Sequence, residues 1–173
     1  MRLIMKLLLC LCLLPAGAFC QERITNVMVG PKDDQTRIVA AFVEPTEETF
    51  KMQSMIIDIS PIKNNKDQPA SVFVDLTSTI RNLSTGEKKQ KILQLRWQKT
   101  GEVEVKCDGK WKKQTAGAAT TKIIEAASAL FQIMPLNTKN PTKLDLPENV
   151  EQKILSVLDS LTTETFPCLR NIN

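Results

Sequence analysis

Between Val72 and Lys113 apolar and polar positions alternate in three runs, each broken by a turn. They read Val-Phe-Val-Asp-Leu-Thr-Ser-Thr-Ile, Lys-Ile-Leu-Gln-Leu-Arg-Trp-Gln and Glu-Val-Glu-Val-Lys-Cys. A period of two predicts strands with one buried face, and Gly86, Gly101 and Gly109 punctuate them. A three-residue loop Lys99-Thr100-Gly101, with Gly101 at positive φ, sets Trp97 opposite Val103, Leu95 opposite Val105 and Leu93 opposite Cys107. A two-residue loop would set Trp97 against Glu104 and turn every side chain over, so the longer loop is adopted. The same loop over Cys107-Asp108-Gly109 puts Trp111 opposite Val105. An even loop around Thr85-Gly86 brings Leu76 opposite Leu95 and Val74 opposite Trp97. The expected product is a four-stranded antiparallel meander. Val72, Val74, Leu76, Leu93, Leu95, Trp97, Val103, Val105 and Trp111 form its buried face. Asp75, Thr77, Thr79, Gln94, Arg96, Glu104 and Lys106 form the other.

Three earlier runs extend the sheet. Ile24–Val29 and Arg37–Val43 flank the turn sequence Gly30-Pro31-Lys32-Asp33-Asp34. Met52–Ile62 follows, with Met55, Ile57 and Ile59 alternating with Ser54, Ile56 and Asp58, closed by Pro61 and the polar stretch Lys63–Pro69. The pairing order of these first strands is not encoded in their pattern. After the meander the period changes to that of helices. Ile123, Ile124, Ala127, Leu130, Phe131 and Met134 give a helix from about Thr121 to Met134, stopped by Pro135. Asp145-Leu146-Pro147-Glu148 starts a second, with an acid at the N-cap, Pro near N1 and Glu at N3. Its stripe is Val150, Ile154, Val157, Leu158 and Leu161. The expected fold is α+β: a six- or seven-stranded, mostly antiparallel sheet with two C-terminal helices packed on its apolar face.

Residues 1–20 carry the pattern of an export signal. Arg2 and Lys6 precede the apolar run Leu7–Leu14, and the small residues Pro15-Ala16-Gly17-Ala18 follow. The run is too short for a permanent membrane anchor. Cleavage after Ala18 or after Cys20 fits, and a lipid-anchored Cys20 is disfavoured by bulky Phe19. Removing residues 1–20 from the 173 leaves 153, the size of one domain, residues 21–173. The signal holds two of the 23 basic residues and none of the 19 acids, so the mature balance is 21 to 19 and selects no partner. Secreted or periplasmic residence follows, and it changes the cysteine reading. Cys107 and Cys168 are the two left after cleavage at Cys20, and an even pair in an oxidising compartment reads as a disulfide, two free thiols being the alternative.

The chain contains no His and no Tyr. His-activated nucleophiles, His metal ligands and Tyr acids are thereby excluded. Ser60 and Lys63 have a Ser-x-x-Lys separation, but at a strand end, where a helical Ser/Lys pair cannot form. The carboxylate pairs Asp33-Asp34 and Glu47-Glu48 sit in turn-like polar stretches, and no Gly-rich phosphate loop or calcium loop occurs. The expectation is a non-catalytic protein without cofactor or metal. It binds or assembles with a protein or a cell-envelope component; nucleic acid is not the expected partner, and no transmembrane anchor is expected.

Two further binding modes remain open. Between Lys88 and Lys113 nine basic residues (Lys88, Lys89, Lys91, Arg96, Lys99, Lys106, Lys110, Lys112 and Lys113) face three acids, which suits an anionic partner or, more simply, solvated strand edges. A cavity between sheet and helices would carry an apolar ligand or lipid, lined by Leu76, Leu95, Trp97, Val103, Leu130, Phe131 and Val157. Asn82-Leu83-Ser84 is a glycosylation sequon in chains that meet that machinery.

Overall fold

A computed structural model describes residues 23–62, 65–98, 101–115, 117–134, 140–163, 166 and 168–172, with the backbone alone for residues 61, 62 and 65–70. The strands are β1 (Ile24–Lys32), β2 (Gln35–Pro45), β3 (Thr49–Ile62), β4 (Asn65–Asn82), β5 (Lys88–Gln98), β6 (Val103–Cys107) and β7 (Lys110–Gln114). Helix α1 (Ala118–Ile133), the two-residue β8 (Thr142–Lys143), α2 (Glu148–Thr163) and β9 (Arg170–Ile172) complete the described elements. All strands join one antiparallel sheet in the order β7-β6-β5-β4-β3-β2-β1-β8, with β9 on β5. The α+β class and the meander expected from the sequence are what the chain adopts. The expected signal at 1–20, with Cys20, and the expected stop at Pro135 lie outside the described residues.

Consecutive hairpins settle the order of the first strands. β1 and β2 pair from Ile24↔Val43 to Lys32↔Gln35, so the turn is only Asp33-Asp34, with Asp33 at φ 55°. Gly30, Pro31 and Lys32, expected in the turn, belong to the strand. β3 ends at Ile62 as expected, but β4 begins at Asn65, inside the polar stretch expected to close the run, and register shifts between Ser60 and Ile62 absorb the prolines paired there, Pro61 and Pro69. Gly101, at φ 80°, closes the β5–β6 loop as expected, and Trp97 stands opposite Val103. Leu76 pairs with Leu93 and Val74 with Leu95, two residues from the expected partners, which preserves the face.

One register differs in kind. Cys107 pairs with Lys110 across a two-residue turn, with Asp108 at φ 50° and Gly109 at φ 80°. Positive φ at both central residues is the type I′ hairpin geometry, for which Asp-Gly is a preferred sequence. The slip sets Lys112 opposite Val105 and Trp111 opposite Lys106. Trp111 therefore lies on the face opposite the one expected.

The inner face carries Val27, Val29, Ile38, Ala40, Met55, Ile57, Val74, Leu76, Leu93 and Leu95, all buried. Ile123, Ala126, Ala127 and Leu130 of α1 and Val150, Ile154, Val157, Leu158 and Leu161 of α2 belong to the same buried cluster. Polar anchors tie α2 to inner-face positions. Asp159 accepts from Lys51 Nζ at 2.7 Å and Gln53 Nε2 at 3.1 Å, Glu151 accepts from Thr25 Oγ1 at 3.0 Å, and Lys91 Nζ donates to the Thr162 carbonyl at 3.2 Å. Burial pushes the Asp159 carboxyl up, but the bonds from Lys51 and Gln53 outweigh it and hold it below its ordinary value. Helix α1 begins at Ala118, before the expected Thr121. Helix α2 begins at Glu148, and the Pro147 carbonyl takes its first bonds from the Val150 and Glu151 amides, so Pro147 rather than Asp145 occupies the cap.

A disulfide joins Cys107, at the end of β6, to Cys168, at φ 64° just before β9. β6 covers β5 at Leu95–Trp97 and β9 covers it at Gln90–Ile92. Two short strands thus share one side of β5, and the disulfide links them. At the other margin Gly30 lets the chain of β8 approach β1: a Cβ there would stand 3.2 Å from the Pro141 Cα.

Candidate functional site

The hydrogen bonds from α2 to the sheet end on the inner face, at Thr25, Lys51, Gln53 and Lys91. The registers line the side chains of the outer face into rows across the strands. One row holds Phe50, Arg81 and Lys88, and the next holds Ile24, Val43, Met52, Thr79, Gln90 and Ile172. A third holds Asn26, Ala41, Ser54, Thr77, Ile92 and Arg170, followed by Met28, Val39, Ile56, Asp75 and Gln94. A fifth runs Gly30, Arg37, Asp58, Phe73, Arg96, Glu104, Lys113. The face is built in two halves of different chemistry.

The fifth row is a paired ladder. Arg37 donates to Asp58 through Nε at 2.6 Å and Nη2 at 2.7 Å, and Lys32 adds a third bond at 3.1 Å. Those Arg37 bonds, helped by Lys32 and opposed by burial, hold the Asp58 carboxyl below the usual carboxylate range. Arg96 Nε donates to Glu104 at 2.6 Å, and its guanidinium lies 4.5 Å from the Trp111 ring centroid, a cation–π distance. Phe73 meets Trp111 edge-on at 5.9 Å. Gln35, Asp58, Ser60, Ser71, Phe73, Arg96, Gln98 and Trp111 border an open recess of about 320 Å³, at the small end of ligand sites.

The first two rows are unlike the ladder. Ile24, Met52, Ile172 and Phe50 are 60, 42, 38 and 37% exposed, and Leu83, in the β4–β5 turn beside them, is 53% exposed. These five are the exposed large apolar side chains among the described residues, and all lie at one end of the sheet. Arg81, Lys88 and Arg170 stand among them, exposed and with no partner among the described residues. Arg81 and Lys88 directly face each other across β4 and β5. Like charges in that position destabilise a sheet.

The residues expected to form sites are distributed otherwise. Of the nine basic residues, Lys99 lies outside the described ones. Lys88, Arg96, Lys106 and Lys113 take outer-face positions, while Lys89, Lys91, Lys110 and Lys112 have inner-face register. Lys89 pairs with Glu87, Lys113 with Glu102, Arg96 with Glu104, and Lys91 with a helix carbonyl. They form no single patch. Of the apolar lining, Leu76, Leu95, Val103, Leu130 and Val157 are buried in the common core. Trp97 and Phe131 border a recess of about 80 Å³, with Ile57, Ile59, Val72, Ala127 and Ser128. An open groove of about 450 Å³ lies between the helices, with Glu125, Ala126, Asn149, Gln152 and Val157 on its walls. The structure brings Cys107 and Cys168 together, as expected.

Phe50, Met52, Arg81 and Arg170 were not singled out by the sequence pattern. A signal did exist: Phe50, Met52 and Ile56 are apolar at the alternate phase to Met55, Ile57 and Ile59, so β3 is apolar on both faces. Among the described residues no group of three or more Cys, Asp or Glu could hold a metal ion, and no helix is long and apolar enough to cross a membrane. No protein-family profile, no curated protein and no solved structure matches this chain.

Proposed function

We propose that this chain is an exported, non-catalytic binding or assembly protein whose partner, a protein or a cell-envelope component, docks on the outer face of the sheet. The observation that carries this reading is the gathering, at one end of that face, of the five exposed apolar side chains and three cations without a partner among the described residues. A monomer seldom leaves such a patch open without a use for it. The absence of His and Tyr supports a non-catalytic role, and the Cys107–Cys168 disulfide fits the oxidising compartment that the 1–20 signal implies. The apolar-carrier reading gains little from a recess of about 80 Å³, room for a few waters where small-molecule sites occupy several hundred. The polyanion reading gains little from lysines divided between two faces.

A photo-crosslinking residue placed at Met52 tests the proposal, with one at Lys153 of α2 as control, in the native extracytoplasmic fraction. The expected result is a discrete product from position 52 alone. Equal products from both positions, or none from either, would count against it.

A further inference from the structure

We infer that the Phe50–Arg81–Lys88 end of the outer face takes an amphipathic helix of a partner protein, one whose apolar stripe is flanked by acidic residues. This rests on the docking reading above and specifies its chemistry. Ile24, Met52 and Ile172 share one row, which crosses six strands. At about 4.8 Å per strand step it is roughly 24 Å long. A helix of about 16 residues spans that length. The three rows nearest this end hold Arg81, Lys88 and Arg170 and no acid. The nearest carboxylate within the rows, Asp75, is already bonded by Gln94 and Thr77, and the exposed Glu47 and Glu48 lie off the rows in the β2–β3 turn. An acidic flank would relieve the opposition of Arg81 and Lys88.

The inner face shows the same chemistry at work within the chain. There α2 brings an apolar stripe together with Asp159 bonded to Lys51 and Gln53, and Glu151 bonded to Thr25. A second copy of this chain is a poor occupant, because face-to-face pairing would oppose uncompensated cations. An anionic bilayer is also a poor occupant. The apolar row runs across the sheet rather than out along a tip that could insert into a bilayer. Nucleic acid offers nothing to the exposed aliphatic side chains.

The test uses a labelled 18-residue synthetic helix with Leu at i, i+3, i+4 and i+7 spacing and Glu on both flanks. A Lys-flanked twin and phosphatidylcholine–phosphatidylglycerol vesicles serve as alternatives, each titrated with the exported chain. The expected result is saturable binding of the Glu-flanked helix, at least about tenfold tighter than its twin and weakened by salt. Arg81→Glu with Lys88→Glu, and separately Met52→Ser with Ile172→Ser, should each weaken it about tenfold. Circular dichroism of each variant checks that it is folded. Every substituted side chain is exposed, and the charge-reversed variant stays informative should the apolar one unfold. Equal binding of the two helices, no binding, indifference to the charge reversal, or binding to vesicles alone overturns the inference. If the Met52 crosslink still forms under those outcomes, docking on this face stands and only the partner chemistry falls.

Discussion

Arg37 holds Asp58 with two hydrogen bonds, 2.6 and 2.7 Å long, across β2 and β3 on the outer face of the sheet. The carboxylate is nearly buried, at 6% side-chain exposure, whereas Arg37 is 36% exposed and Lys32 39%. Solvent screening of the cations therefore trims the strength of the pair. Its folded pKa lies below the unfolded value, so the folded state binds fewer protons at mildly acid pH. The stabilisation is complete above the unfolded carboxylate value of about 4 and fades as pH falls below it, through the folded value. Asp58→Asn should cost about 1–2 kcal/mol at pH 7, and less at pH 3. Urea midpoints of both proteins at the two pH values measure this. A gap that stays constant would show that Asp58 ionisation is not the source.

The Cys107–Cys168 bridge closes a 61-residue separation and links the two strands on one side of β5. Removing it should lower stability by about 2–4 kcal/mol. Amides of Gln90 and Ile92 should then exchange faster, since β9 is three residues long and loses its tether. Denaturation of Cys107→Ser/Cys168→Ser, with hydrogen exchange read at those positions, checks both effects. An unchanged midpoint would mean that the helices and β9 hold without the covalent link.

Ser78 Oγ and Thr79 Oγ1 are buried without partners, on opposite faces of β4. A buried hydroxyl that makes no bond contributes its desolvation cost and little else. Thr79→Val should consequently be neutral or stabilise by up to about 1 kcal/mol. A loss of more than about 1 kcal/mol in a thermal melt would reveal a bond that this geometry lacks.

The strand phases that bury Met55, Ile57, Val74, Leu76, Leu93 and Leu95 are legible because alternation depends on short-range spacing alone. Trp111 departs from its expected face for an equally local reason. Asp108-Gly109 suits a two-residue turn, and extending the neighbouring three-residue loop to it shifted one residue and reversed the side chain. β8 and β9, at two and three residues, are too short to show any period, and tertiary neighbours alone define them. The apolar, cationic end of the outer face was hidden for another reason. Its members come from β1, β3, β4, β5 and β9, and only the registers bring Ile24, Met52, Arg81, Lys88 and Ile172 together.

The division of β5 between β6 and β9 also has a kinetic side. β6 follows β5 within a few residues, but the partner of Gln90–Ile92 is Arg170–Ile172, roughly 80 residues further along, and such distant contacts close late. During synthesis this stretch of β5 is an open strand edge until Arg170–Ile172 arrives. Lys91 lies within that interval and Lys88 and Lys89 immediately before it, and charged lysines keep an open edge from pairing with another molecule. The lysine run is expected to act on the nascent chain as a gatekeeper. Replacing Lys89 and Lys91 with Val should leave the oxidised protein folded while raising aggregation during refolding, as followed by light scattering.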